Sequence, residues 1–206
     1  MGSPVAKEVY VRYHADITAG SLKVPESRVM AGLLLSDLSE HDWASALYDQ
    51  NVLQVQNPET AKRFARLLRL RLQTMDDRLW QMISDGSFTV ATHACLAAAV
   101  KHSALLGDFL DLVMREQYRL YNKNLLPAVW ERYIDDCQAR DSDMPIWSDS
   151  TIRRLRSSVF QILAQAGYID STRTLKLQTV HISQEVLSYL HAHDEDYVLR
   201  CIQVSP

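Results

Sequence analysis

Residues 89–106, TVATHACLAAAVKHSALL, decide the fold class. The stretch holds no Pro or Gly, and alanine has the best helix propensity, so it reads as a helix. From Val90 to Val100 it is apolar on nearly every side. A helix apolar all round has to be buried all round, either in a bundle or in a bilayer. A spanning helix needs about 20 apolar residues. This run is about half that, with His93, Lys101 and His102 in or beside it. It is therefore expected at the centre of a helical bundle, with no membrane span.

The flanking sequence supplies the rest of such a bundle. After an extended opening (Val9-Tyr10-Val11, Tyr13), Pro25 sits where a first helical residue belongs, and Val29, Met30, Leu33 and Leu34 follow at helical spacing. Ser39 with Asp42 resembles a capping box ahead of Trp43, Ala46 and Leu47. Asn57-Pro58 opens a third helix with Phe64, Leu67, Leu68, Leu72 and Met75 on one stripe. A short helix around Leu79 to Ile83 precedes the alanine-rich one. Another runs from about Asp108 to Tyr121, and Pro127 starts the last, with Val129, Trp130, Tyr133 and Ile134.

The composition then shifts. Asp135, Asp136, Asp141 and Asp143 form an acidic stretch ending at Pro145, which reads as a linker with a boundary near Met144. Beyond it, Ser148 or Ser150 caps a helix with Ile152, Leu155, Val159, Ile162 and Leu163 inward, and Gly167 stops it. A turn at Asp170 to Thr172 leads into a strand with Leu175, Leu177 and Val180, and Ser183 opens a final helix. The expected fold is mainly α: a helical bundle over 1–144, then a small winged-helix-like domain over 145–206.

Among the 206 residues, 47% hydrophobic and 23% charged is ordinary for a globular chain. The net charge of −3 does not advertise a nucleic-acid binder, but local distribution matters more than the total. The cations are lopsided, 16 Arg against 6 Lys, which suits forked recognition of phosphate or carboxylate. Cys95, Cys137 and Cys201 are too far apart for a disulfide framework or zinc site, and no secretory signal opens the chain. A reducing cytoplasm is the expected location.

Catalytic motifs are missing: no Gly-rich phosphate loop, no Cys-x-x-Cys and no His-Glu-x-x-His. His191-x-His193-Asp194 would put its two imidazoles about 200° apart on a helix, so they would not converge on one ion. Asp135-Asp136 and Asp194-Glu195-Asp196 lack partners at a recognisable metal-nuclease spacing. No enzyme, metal or cofactor is expected.

Two basic clusters carry the functional signal. The third helix holds Lys62, Arg63, Arg66, Arg69, Arg71 and Arg78; across 58–78 three acids leave a local +3. Lys62, Arg66 and Arg69 share one face, turned away from the apolar stripe. A solvated amphipathic face would look the same. The second cluster is Arg153, Arg154, Arg156, Arg173 and Lys176, opposed over 150–182 only by Asp170, a local +4. In a winged-helix module, a helix and its wing commonly contact phosphates and grooves, so this cluster points to nucleic acid. Docking onto an acidic protein is the alternative. Trp43, Trp80, Trp130 and Trp147 fall on apolar stripes or in linkers, which favours duplex over single-strand binding.

Several segments, in order and spacing, resemble the BrxA family of bacterial BREX phage-defence systems. They are Thr18-Ala19-Gly20-Ser21-Leu22 before Pro25-Glu26-Ser27, the Arg-rich stretch Ala61 to Leu72, and Leu105-Leu106-Gly107-Asp108-Phe109. The series ends with Trp147-Ser148-Asp149-Ser150-Thr151 ahead of Leu163-Ala164-Gln165-Ala166-Gly167-Tyr168. The resemblance implies a component encoded beside a methyltransferase, an ATPase and other large subunits. It also implies an N-terminal domain akin to the NusB antitermination fold, a winged-helix-like C-terminal domain, and binding of double-stranded DNA and other BREX subunits. It assigns no catalytic residue. An inner-membrane label has been attached to this family, and the hydropathy of this chain argues against it.

Overall fold

Helix-initiating side chains set most of the element starts. In the computed structural model, which describes residues 12–17 and 20–205, α1 (Val24–Leu35) carries proline in its first turn. The Ser39 hydroxyl accepts the Asp42 N–H and starts α2 (Glu40–Ala44), which runs on as a π-helical turn, Ser45–Asp49. Asn57 caps α3 (Pro58–Leu72), Asp76 caps α4 (Asp77–Asp85) and Ser87 caps α5 (Phe88–His102). Such caps each satisfy an otherwise orphaned amide, a contribution of about 1 kcal/mol. The Ser103 hydroxyl then starts α6 (Ala104–Asp108), which continues through a π-helical stretch, Phe109–Met114, into α7 (Arg115–Arg119). Last come α8 (Ala128–Arg140), α9 (Asp149–Ala166), α10 (Gln184–Ala192) and α11 (Asp196–Ile202).

The fold is mainly α, with α5 at its centre. Every residue from Val90 to Val100 is buried, and α1, α3, α4, α9, α10 and α11 all pack against it. Its alanines have no bulk beyond Cβ, so neighbouring helices approach on every side at once. One hydrophobic cluster contains residues of every helix except α7, whose Tyr118 packs against it.

Asp108 ties the chain ends into this core. Its buried carboxylate accepts from Arg12 (2.8 Å), from the Tyr13 hydroxyl (2.8 Å) and from the Tyr197 hydroxyl (2.9 Å). Burial and the neighbouring Asp108 hold the Tyr13 hydroxyl well above the usual phenol range, so it stays a donor. Gly107 lies beneath Tyr197, where an added Cβ would meet the hydroxyl at 2.3 Å. Tyr13 of the expected extended opening is buried without regular structure, whereas Val9-Tyr10-Val11, Thr18 and Ala19 lie outside the described residues.

Several expectations change in detail: the helix expected over 89–106 breaks at Ser103, and Arg78 stands on α4 rather than on the third helix. Asp135 and Asp136 belong to α8 rather than to a linker. Asp141 accepts the backbone N–H of Arg12 (2.8 Å), and Met144 is buried. The strand expected at Leu175 to Val180 is only a fragment, and the described residues form no regular strand, only isolated antiparallel bridges. Asp170 tightens the turn by accepting from Ser171 N, Thr174 Oγ1 and Lys176 N, which leaves few residues to pair. The fragment is nonetheless held on both edges. Asp170 N donates to Lys176 O on one side, and Leu125 N to Leu175 O and Leu177 N to Lys123 O on the other.

Candidate nucleic-acid interface

The apolar positions of α9 fix which of its side chains can reach a ligand. Leu155, Val159, Ile162, Leu163 and Ala166 point into the core, and the Trp130 indole N–H donates to Ile152 O (3.1 Å), anchoring the helix to α8. Ser150, Arg154, Ser157 and Gln161 then fall at i, i+4, i+7 and i+11, one exposed face. Ser148 is the cap that the sequence left open between Ser148 and Ser150; its hydroxyl accepts the Thr151 N–H. Gly167 ends the helix in the left-handed conformation (φ 86°), as a C-terminal glycine does.

Facing α9 is one edge of α3, and the segment at 20–23 lies between them. Its placement rests on Arg71, the one buried cation of the α3 cluster. Arg71 donates to Ser21 O (2.9 Å) and Gly20 O (3.5 Å), and burial lowers its pKa to about 10. From the other side, Gln165 of α9 accepts the Leu22 N–H (2.9 Å). The segment is thus clamped by α3 and α9 together. Above it opens a groove of about 670 Å³ lined by Gly20, Arg63, Ser150, Arg153, Arg154, Ser157, Ser158 and Gln161.

Three arginines and no carboxylate line this groove. The N-terminal turn of α9 borders it at Ser150, so the positive end of the helix dipole lies beside it. Past Ser157 and Gln161 a further depression reaches Thr172, next to Arg173 in the turn held by Asp170. Arginine forks, serine hydroxyls and a helix N-terminus are the donor set that binds phosphate oxygens.

Against known proteins, a family model described as BrxA matches residues 11–194. The chain belongs to the BrxA family. A Paramagnetospirillum magneticum protein named BREX protein BrxA is 53% identical over 194 residues, 94% of this chain and 98% of that protein. One of the same name from Escherichia coli O9:H4 is 34% identical over 175 residues, 85% and 82% of the two. A crystal structure of an uncharacterized protein from Magnetospirillum magneticum is 51% identical, with a TM-score of 0.89 over 94% of this chain and all of that one.

In this BrxA-family chain the cations singled out by sequence divide sharply. Arg63, Arg153 and Arg154 converge on the groove. Arg66 and Arg173 are exposed, with no carboxylate partner among the described residues, and Lys176 is exposed beside Asp170, whose pKa is lowered first by the Thr174 hydroxyl and also by Lys176. The remaining three are engaged. Lys62 pairs with Glu59 (3.0 Å), which raises its pKa. Arg69 pairs with Glu40 (3.0 Å) and lies over the Trp43 ring at 4.5 Å. Arg156 pairs with Glu131. The face shared by Lys62, Arg66 and Arg69 is therefore partly covered by α2 rather than open.

Sequence reading missed Ser150, Ser157 and Gln161, although their spacing with Arg154 is a helical face visible in the chain. It also placed Arg71 among surface cations. Elsewhere, His193 pairs with Asp76 (2.9 Å) and stacks on Tyr189, while His191 is exposed. No group of three or more His, Cys, Asp or Glu among the described residues could hold a metal ion. The three cysteines are free and buried, and burial pushes the Cys95 thiol up to about 12. No helix among the described residues is long and apolar enough to cross a membrane.

Proposed function

We propose that this chain is a non-catalytic accessory protein of a BREX phage-defence system, acting in the cytoplasm on double-stranded DNA alongside other BREX subunits. The observation that carries the reading is the groove between α3 and α9, where cations from two clusters 90 residues apart in sequence meet without a carboxylate. Arg63, Arg153 and Arg154 contact backbone phosphates, and the hydroxyls of Ser150 and Ser157 add neutral donors. In this reading α9 and the turn at Arg173 and Lys176 act as helix and wing of a winged-helix-like module. The contacts are to phosphate, so they position the protein on duplex without selecting sequence.

Titrating duplex DNA at several salt concentrations tests this directly. Each phosphate neutralised contributes about −0.9 to the slope of log affinity against log salt. The expected slope is about −3 for three arginines, and similar on unrelated sequences. No binding at low salt, or binding indifferent to salt, refutes the reading. Incubation with DNA and magnesium or manganese should leave the DNA intact. A competing reading is supported by Arg156 on Glu131 and Arg69 on Glu40, since the same cations take carboxylates inside the chain. There the groove docks an acidic face of a larger subunit, and variants that lose copurification but keep DNA affinity would favour it.

A further inference from the structure

Arg156 stands on the path along α9 but its charge is turned aside. It borders the depression with Ser157, Phe160, Gln161 and Thr172 that continues the main groove toward Arg173. It also lines a second groove, of about 290 Å³, on the adjacent, α8-facing side of α9. There its guanidinium is held by Glu131 of α8. That second groove carries Asp135 and Asp149 as well, so it is acidic where the first is not. Arg153 lines both and marks the divide between them. Both partners of the Arg156–Glu131 pair are partly exposed, at 30% and 47%, so a guanidinium released from Glu131 is free to turn to a phosphate.

Resting on the DNA reading above, we infer that Glu131 is a built-in competitor for the DNA backbone, holding Arg156 out of the phosphate track. The α8 side of α9 is thereby closed to the duplex, and α9 binds with one cation fewer than it carries. Affinity is set below its ceiling, so that stable engagement depends on further contacts, such as those of a partner subunit bound to the same DNA.

The test compares Glu131→Gln, Arg156→Ala, the E131Q/R156A double variant and Arg153→Ala with Arg154→Ala in duplex titrations across salt. E131Q should tighten binding about eightfold at 0.1 M salt and steepen the salt slope by about 0.9, one recovered phosphate contact. R156A alone should bind like wild type, and in the double variant it should cancel the gain. If E131Q binds as wild type or more weakly, or if R156A weakens binding by as much as a lost phosphate contact, about eightfold, Glu131 is not a competitor. Glu131→Ala and a thermal melt of each variant guard against a folding artefact. The R153A/R154A protein separates the two levels: if it binds DNA normally, the groove reading falls and this inference with it. If it loses affinity while E131Q changes nothing, only the inference falls.

Discussion

On α3, Lys62 pairs with Glu59, Arg69 with Glu40 and the Trp43 ring, and Arg71 is buried under the segment at 20–23. On α9, Arg153 and Arg154 are exposed with no carboxylate partner among the described residues, and only Arg156 is held, by Glu131. The difference follows from position. α3 lies between α1, α5 and the π turn after α2, so Arg69 and Arg71 meet neighbouring elements while Arg63 and Arg66 stay exposed. α9 turns one face to the core and leaves the start of the opposite face open. Counting charges along the chain treats the two helices alike; what matters for a ligand is which cations remain uncommitted once the fold has placed its acids.

The contrast is most severely tested at Arg71. If its charge is structural, Arg71→Ala should cost about 3 kcal/mol of stability, because it removes buried packing and strands the Ser21 carbonyl. Urea denaturation measures this, and a loss under about 1 kcal/mol would mean that the clamp is not structural. Next comes the α9 pair. Arg153→Ala with Arg154→Ala should weaken duplex binding about 60-fold at 0.1 M salt, about 2.4 kcal/mol, and flatten the salt slope by about 1.8. The melting temperature should stay near wild type. Arg63→Ala should remove a single contact, about eightfold in affinity and about 0.9 in slope. It is the only α3 residue expected to reach the level of an α9 arginine. The smallest effect belongs to Arg69→Ala, with affinity expected within about twofold and stability within about 1 kcal/mol, as for an exposed ion pair. Equal losses from Arg69 and Arg63 in the same titration would erase the distinction between committed and free cations on α3.

How much of this could be read from the sequence depended on the range of the interaction. The run from Val90 to Val100 announced a helix buried on all sides because periodicity is a local property. Ser148 and Gly167 bracket α9 because caps are local too. Arg71 could have been placed correctly: it stands four residues after Leu67 and three after Leu68, both buried, and so on the inward stripe. The π-helical stretches Ser45–Asp49 and Phe109–Met114 left no sequence signal. The fragment at Leu175 to Leu177 shows alternation, but its length was set by how Asp170 folds the turn. Neither the pairing of Arg156 with Glu131, 25 residues apart, nor the meeting of Arg63 with Arg153 was legible, since both need the helices already packed.

The small ladder at Leu175 to Leu177 also has a history in time. Its outer rail, Lys123 to Leu125, belongs to the turn before α8, yet its hydrogen-bond partners lie 50 residues later in the chain. A ribosome adding about 5–20 residues per second needs several seconds to cover that distance. Throughout that interval the turn has emerged and its main-chain groups are satisfied by water alone. The first helices can gather around α5 while this seam stays open, and the segment at 175–177 closes it only as the last quarter of the chain arrives.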